Sequence, residues 1–94
     1  MDYLPLFFKL ENRNALLVGG GQVALRKATL LTRAGARVTV IAHRIDQELT
    51  ELVEQHGGQT IIGEYHSGLL DDVYLVIAAT DDDQLNERVH YDAV

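Results

Sequence analysis

The 94-residue chain contains no cysteine. Disulfides, thiolate catalysis and zinc sites built on Cys are therefore excluded, and a reducing compartment is compatible with the composition. There is one proline, Pro5. It keeps the apolar leader of residues 1–10 from being a regular helix or a central strand. Long hydrophobic runs are also missing. Leu4 to Leu10 is too short to span a bilayer and lacks the basic flank of a secretion signal, so the expected location is the cytoplasm, with no membrane partner. The four histidines, His43, His56, His66 and His90, show no ligand spacing such as H-x-x-x-H, and no metal site is expected from them. No Ser-His-Asp or paired-carboxylate arrangement follows from the spacing either.

Cations are nearly absent from the second half. Residues 48–94 hold one, Arg88, against eleven Asp and Glu, whereas residues 1–47 hold seven Lys and Arg against three acids. The formal net charge is −6, a balance that argues against general nucleic-acid binding. Most of these charges read as solvated helix faces. The basic half nevertheless contains the chain's main glycine cluster, which suits an anionic ligand. No internal repeat or low-complexity segment interrupts the chain, so one domain over residues 1–94 is expected.

What is present centres on Ala15-Leu16-Leu17-Val18-Gly19-Gly20-Gly21-Gln22-Val23-Ala24. The run reads as a buried strand, a glycine turn and the first turn of a helix. Gly19, Gly21 and Ala24 fit G-x-G-x-x-G/A, the dinucleotide fingerprint. Gly19 permits a tight exit from the strand. Gly21 lacks a Cβ, so a pyrophosphate can approach the main chain. Ala24 is small enough for close helix–strand packing. The helix N-terminus adds unpaired N–H groups and a partial positive charge. By itself such a match is weak, since a glycine turn is also a common structural device; here the flanking strand and helix patterns supply its context.

Downstream, helix-period spacing predicts a helix over 22–34, with Val23, Ala24, Ala28, Leu30, Leu31 and Ala34 on its apolar face and Gly35 as its stop. A β-branched strand is expected at 37–41. A helix over 47–56 follows, with Asp46 as N-cap and Leu49, Leu52 and Val53 inward. Further strands are expected at 59–62 and 73–79, with one helical turn near 67–70 between them. The near-continuous apolar run of 73–79 predicts burial on both faces. A last helix opens at Asp81, with Gln84 completing a capping-box pattern and Leu85 and Val89 facing inward. The alternation specifies an α/β fold: a partial, Rossmann-like, doubly wound parallel sheet of about four strands in order 3-2-1-4. Six strands are usual for the complete fold, so the chain reads as part of a larger dinucleotide domain. The ligand crevice is expected where Gly19 to Val23, Ala42 to Arg44 and Ala78 to Asp81 meet.

One departure and three double readings belong to this region. The fingerprint wants an acid at the end of the second strand for the adenosine ribose, but Ile41-Ala42-His43-Arg44 offers none before Asp46; a main-chain contact from residues 43–44 to the ribose would remove the need for it. Arg44 has two readings: partner of a 2′-phosphate, which favours NADP, or exposed loop arginine. Thr80 likewise has two: a hydrogen-bond donor to the cofactor, or part of a helix cap together with Asp81, Asp82 and Asp83. Arg26 and Lys27, one turn into the first helix, either steady a phosphate or cover apolar surface with their stems.

Taken together, Met1-Asp2-x-Leu4-Pro5-Leu6-Phe7, Val18-Gly19-Gly20-Gly21-x-Val23-Ala24-x-Arg26-Lys27, Ala34-Gly35-Ala36-x-Val38-Thr39-Val40 and Ala78-Ala79-Thr80-Asp81-Asp82-Asp83 closely resemble the N-terminal domain of the siroheme synthase family. The resemblance covers essentially the whole chain. It implies an NAD-dependent precorrin-2 dehydrogenase and sirohydrochlorin ferrochelatase, with ferrous iron as a substrate. A fused methyltransferase acting on uroporphyrinogen III and a homodimer are implied for the full-length form. It also implies NAD contacts at Gln22, Val23, His43 and Arg44, and NAD rather than NADP despite the missing acid. The family's catalytic aspartate lies beyond the next strand, after Val94, so no catalytic residue is assigned here; Asp81 to Asp83 do not take that role. The expectation is a piece that binds NAD and does not turn over substrate alone. The competing expectation is a non-catalytic dinucleotide-binding regulatory or sensor module, because one fold hosts both.

Overall fold

The computed structural model describes residues 10–93. The apolar leader and Pro5 therefore lie outside the described residues, except for Leu10, which is buried. The elements are β1 (Asn14–Val18), α1 (Gln22–Arg33), β2 (Arg37–Ala42), α2 (Gln47–Gln55), β3 (Gln59–Ile62), a 3-10 turn (Ser67–Leu70), β4 (Leu75–Ala78) and α3 (Asp83–Ala93). All strands pair in parallel, in the order β3-β2-β1-β4.

The two-residue period of β1 divides the core. Ala15 and Leu17 point to one face, where they meet Val38 and Val40 of β2, Ala24, Ala28 and Leu31 of α1, and Leu49 and Val53 of α2. Leu16 and Val18 point to the other face and join Ile41, Tyr65 and Val89. Each face thus has its own helical cover, as a doubly wound sheet requires. The exit from α1 follows the sequence expectation. Gly35 has φ +91°; its N–H donates to the Thr32 carbonyl at 3.0 Å, and that of Ala36 to Leu31 at 3.1 Å. These two bonds make a Schellman closure that satisfies the last carbonyls.

Three expectations change on folding. β4 is shorter than 73–79, and all four of its residues are half-buried rather than enclosed on both faces. A turn closes just before it: Asp72 has φ +61°, and the Val73 N–H donates to Leu70 at 3.2 Å. β4 also borders β1 alone in this sheet, so no strand pairs with its outer edge among the described residues. Second, Val23 is not core but 48% exposed. Thr32, near the other end of α1, is buried instead, with its hydroxyl donating to the Thr29 carbonyl at 3.1 Å. Third, the cap of α3 is Asp82, not Asp81: Asp82 Oδ1 accepts the Leu85 N–H at 3.1 Å, an N-cap to N3 bond. Leu85 occupies the position where a capping box needs Glu or Gln, so no box forms.

Candidate dinucleotide site

The carboxyl ends of β1, β2 and β4 open into one cleft of about 730 Å³. It sits where the strand order reverses between β1 and β4, the place where open α/β sheets bind ligands. Its floor is the glycine turn, and the three glycines serve different purposes. Gly19 has φ +139°, and a Cβ there would overlap the Ala79 carbonyl oxygen. The reason is the sheet itself: the Gly19 N–H donates to Ile41 at 3.0 Å and the Ala79 N–H to Val18 at 2.8 Å, drawing the exits of β2 and β4 against the turn. Gly20, the unspecified position of the fingerprint, is just as constrained. A Cβ there would overlap the Arg44 carbonyl oxygen, and the Gly20 carbonyl accepts the Asp46 N–H at 2.9 Å. Gly21 is the opposite case. A Cβ there would have nothing within 4 Å, and its backbone is extended (φ −99°, ψ −156°). Its missing side chain serves neither packing nor an unusual dihedral. It leaves space inside the cleft.

That space faces the start of α1. The first helical bond runs from the Leu25 N–H to the Gly21 carbonyl at 2.9 Å, so the N–H groups of Gln22 and Val23 precede the intrahelical ladder. No side chain caps them and no acid lies in the first turn. The exposure of Val23 follows from the same placement, because Gln22 and Val23 both line the cleft. Orphan helix donors beside an open glycine form an anion cradle with the helix dipole behind it.

Of the seven residues marked in the sequence, Gly19, Gly21, Gln22, Val23, His43 and Thr80 line this one cleft. Arg44 does not: its main chain abuts Gly20 and its side chain is exposed. The Thr80 hydroxyl is already engaged. It donates to Asn86 Oδ1 at 2.7 Å and accepts the Asp82 N–H at 3.1 Å. Asn86 returns a bond from Nδ2 to the Thr80 carbonyl at 3.0 Å. With its single proton spent on Asn86, Thr80 offers the cleft a wall and a remaining lone pair rather than a donor.

The electrostatics run against the simple reading of the basic half. Among the described residues, no Lys or Arg of that half lines the cleft; Arg88 from α3 does, together with Glu64, Asp81 and Asp82. An anion held here is held by main-chain N–H groups, not by a cationic patch. Arg26 and Lys27 accordingly lie outside the lining. Glu64, Tyr65 and Arg88 went unmarked in the sequence, since they come from a loop and a late helix whose positions depend on the sheet. Tyr65 is buried and donates to Asp92 Oδ2 at 2.9 Å. The Arg88 guanidinium lies 5.5 Å from its ring centre. Burial first, then the Asp92 carboxylate, push the Tyr65 phenol up to about 12 against a downward pull from Arg88. Tyr65 is thus a protonated, fixed wall at neutral pH. Among the described residues no three His, Asp or Glu side chains gather as a metal site, and no helix is long and apolar enough to cross a membrane.

The same fold recurs in known proteins. A siroheme synthase of Pseudomonas entomophila strain L48 is 53% identical over 89 residues, which are 95% of this chain and 19% of that protein. A siroheme synthase of Azotobacter vinelandii is 54% identical over 93 residues, 99% of this chain and 20% of that protein. The chain thus spans about a fifth of the length of these relatives. A solved structure named SirC, precorrin-2 dehydrogenase, superposes with a TM-score of 0.79 at 28% identity, covering 88% of this chain and 42% of that one. Residues 6–94 match the family described as "Putative NAD(P)-binding". By that match, the Rossmann-like fold and the glycine cleft it frames, the chain belongs to this NAD(P)-binding family.

Proposed function

We propose that the chain is the NAD-binding domain, spanning residues 1–94, of a siroheme-forming enzyme. In the whole protein, precorrin-2 would be oxidised to sirohydrochlorin with NAD, and ferrous iron would then be inserted as a substrate to give siroheme. The single observation that carries the reading is the open main-chain cradle at Gly21. Gly19 and Gly20 are glycines because neighbouring backbone presses on them; Gly21 is glycine beside empty, donor-lined space. That is the requirement of a pyrophosphate. Similarity to siroheme synthases and to a precorrin-2 dehydrogenase supplies the reaction class.

In this reading Gly19, Gly21, Gln22 and Val23 hold the pyrophosphate. His43 and Arg44 border the adenosine half at the end of β2, Arg44 through its main chain. Thr80, locked by Asn86, shapes the wall at the end of β4. NAD when bound supplies the hydride acceptor. The chain's own contribution is to bind and orient it: rigid main chain under the phosphates, and small residues at Ala79 and Thr80 where the ring or ribose meets the strand end. No residue of this chain is assigned to proton transfer. The full-length protein is read as a cytoplasmic homodimer with a tetrapyrrole substrate and no nucleic-acid or membrane partner. A methyltransferase region belongs to the fused form.

Two measurements test this. Calorimetric titration with NAD should show one site per chain, and the absence of heat and of thermal stabilisation at millimolar cofactor rejects the cofactor reading. A longer protein carrying this domain should reduce NAD in the presence of precorrin-2. Binding without turnover there selects the regulatory-module alternative.

A further inference from the structure

The fingerprint's missing acid has a substitute in three dimensions. β2 ends at Ala42-His43-Arg44 without a carboxylate. Asp46, the next acid in sequence, is withdrawn: its N–H is bonded to the Gly20 carbonyl at 2.9 Å, and it occupies the N-cap of α2 outside the cleft lining. Glu64 comes from the neighbouring strand. β3 runs parallel to β2 with Ala42 opposite Ile62, and the pairing continues one step further, the Gly63 N–H donating to the Ala42 carbonyl at 3.0 Å. The next residue, Glu64, therefore emerges beside His43. Its Oε1 is 3.8 Å from His43 Nε2, with both side chains largely exposed (84% and 72%). That separation is too long for a hydrogen bond. Both oxygens of Glu64 thus remain available as acceptors toward a ligand. Among the described residues the other carboxylates lining the cleft, Asp81 and Asp82, stand at the β4 side. Glu64 is the one on the β2–β3 side, where the fingerprint's acid meets the adenosine ribose.

We propose that Glu64 accepts the adenosine ribose hydroxyls, replacing the acid that β2 lacks, and that it selects NAD over NADP. The inference rests on the cofactor reading above. A carboxylate accepts from hydroxyl donors, and it repels a 2′-phosphate placed at the same point. The opposite preference would need a cation there. Arg44, the nearest in sequence, does not line the cleft, and Arg88, which does, is drawn to the α3 side, 5.5 Å from the Tyr65 ring centre and 3.8 Å from Asp92 Oδ2. Specificity is thus carried by a residue one strand removed from its usual source, and it is set as much by repulsion as by bonding.

The test is calorimetric titration of the chain and of Glu64→Gln and Glu64→Ala with NAD and with NADP. The Glu64 side chain is 84% exposed, so both variants should fold; circular dichroism checks this. The unmodified chain should bind NAD more tightly than NADP. Both substitutions should weaken NAD, by roughly 10- to 150-fold where the charge-assisted bond is lost outright, and leave NADP unchanged or tighter, bringing the ratio toward one. An NAD/NADP ratio unmoved in both variants, with NAD still bound by the unmodified chain, overturns the role of Glu64 alone. Failure of the unmodified chain to bind either nucleotide overturns the cofactor reading and this inference with it.

Discussion

Gly21→Val separates a functional glycine from a structural one. The perturbation places a branched side chain in space where a Cβ has no neighbour within 4 Å. Two small effects on folding oppose each other. Replacing Gly at a dihedral that an L-residue accepts stabilises by about 0.4–1 kcal/mol through the unfolded chain. Valine at an N-cap loses a similar amount relative to glycine, since it shields the first N–H groups from water without supplying an acceptor. The net change in stability is therefore within about 1 kcal/mol, a melting shift of no more than roughly 4–8 °C for a domain this size. Binding has no such compensation. Forcing methyl groups into a filled contact costs about 1–3 kcal/mol, or roughly 5- to 150-fold in affinity. Gly21→Ala should fall between the two. The assay is calorimetric titration with NAD, paired with a thermal melt. A folded Gly21→Val protein with unaltered NAD affinity would refute the placement of the pyrophosphate, whatever else binds in the cleft.

Other outcomes follow from the same geometry. Gly20→Ala meets the Arg44 carbonyl and the Ile45 backbone; it should lower stability by about 1–3 kcal/mol, read as a reduced denaturant midpoint with the slope retained. Its contrast with Gly21→Ala reverses the order expected from the fingerprint alone. Asn86→Ala removes the partner of both the Thr80 hydroxyl and carbonyl and should cost about 1–3 kcal/mol, with faster amide exchange across the first turn of α3. Tyr65→Phe should cost about 1.5–3 kcal/mol near pH 7 by deleting the bond to Asp92. The pH sign is fixed by the phenol being raised to about 12 in the fold against about 10 when unfolded. Its stabilisation is complete below pH 10 and is lost as pH rises through 12. The gap between wild type and Tyr65→Phe in denaturant melts should narrow across that window; a constant gap would show that the phenol is not buried against the carboxylate.

Much of this architecture is local chemistry. Strand and helix periods, the glycine exits and the acid at the start of α3 each bias a short segment, and one right-handed crossover rule turns their alternation into the order β3-β2-β1-β4. The cleft's position follows from that order. The departures are all non-local. The apolar run at β4 looks like an interior strand, but burial depends on which elements surround it, and among the described residues β4 has a strand neighbour on one side, β1. Val23 fits the apolar stripe of α1, yet its place in the first turn puts it over the cleft mouth. Thr80 carries a hydroxyl that reads as a donor until Asn86, six residues on, takes its proton.

The order of residues alone determined that a bare glycine turn would join a buried strand to a helix, because dihedral freedom, side-chain period and helix-end donors are properties of neighbours along the chain. Which glycine is pressed by backbone and which faces open space was decided only when the exits of β2 and β4 closed on the turn. The carboxylate at the adenosine side was likewise decided by parallel register, which brings Glu64 beside His43 although twenty residues separate them in the chain. Contacts across a sheet depend on how strands are stacked, and no single segment contains that information.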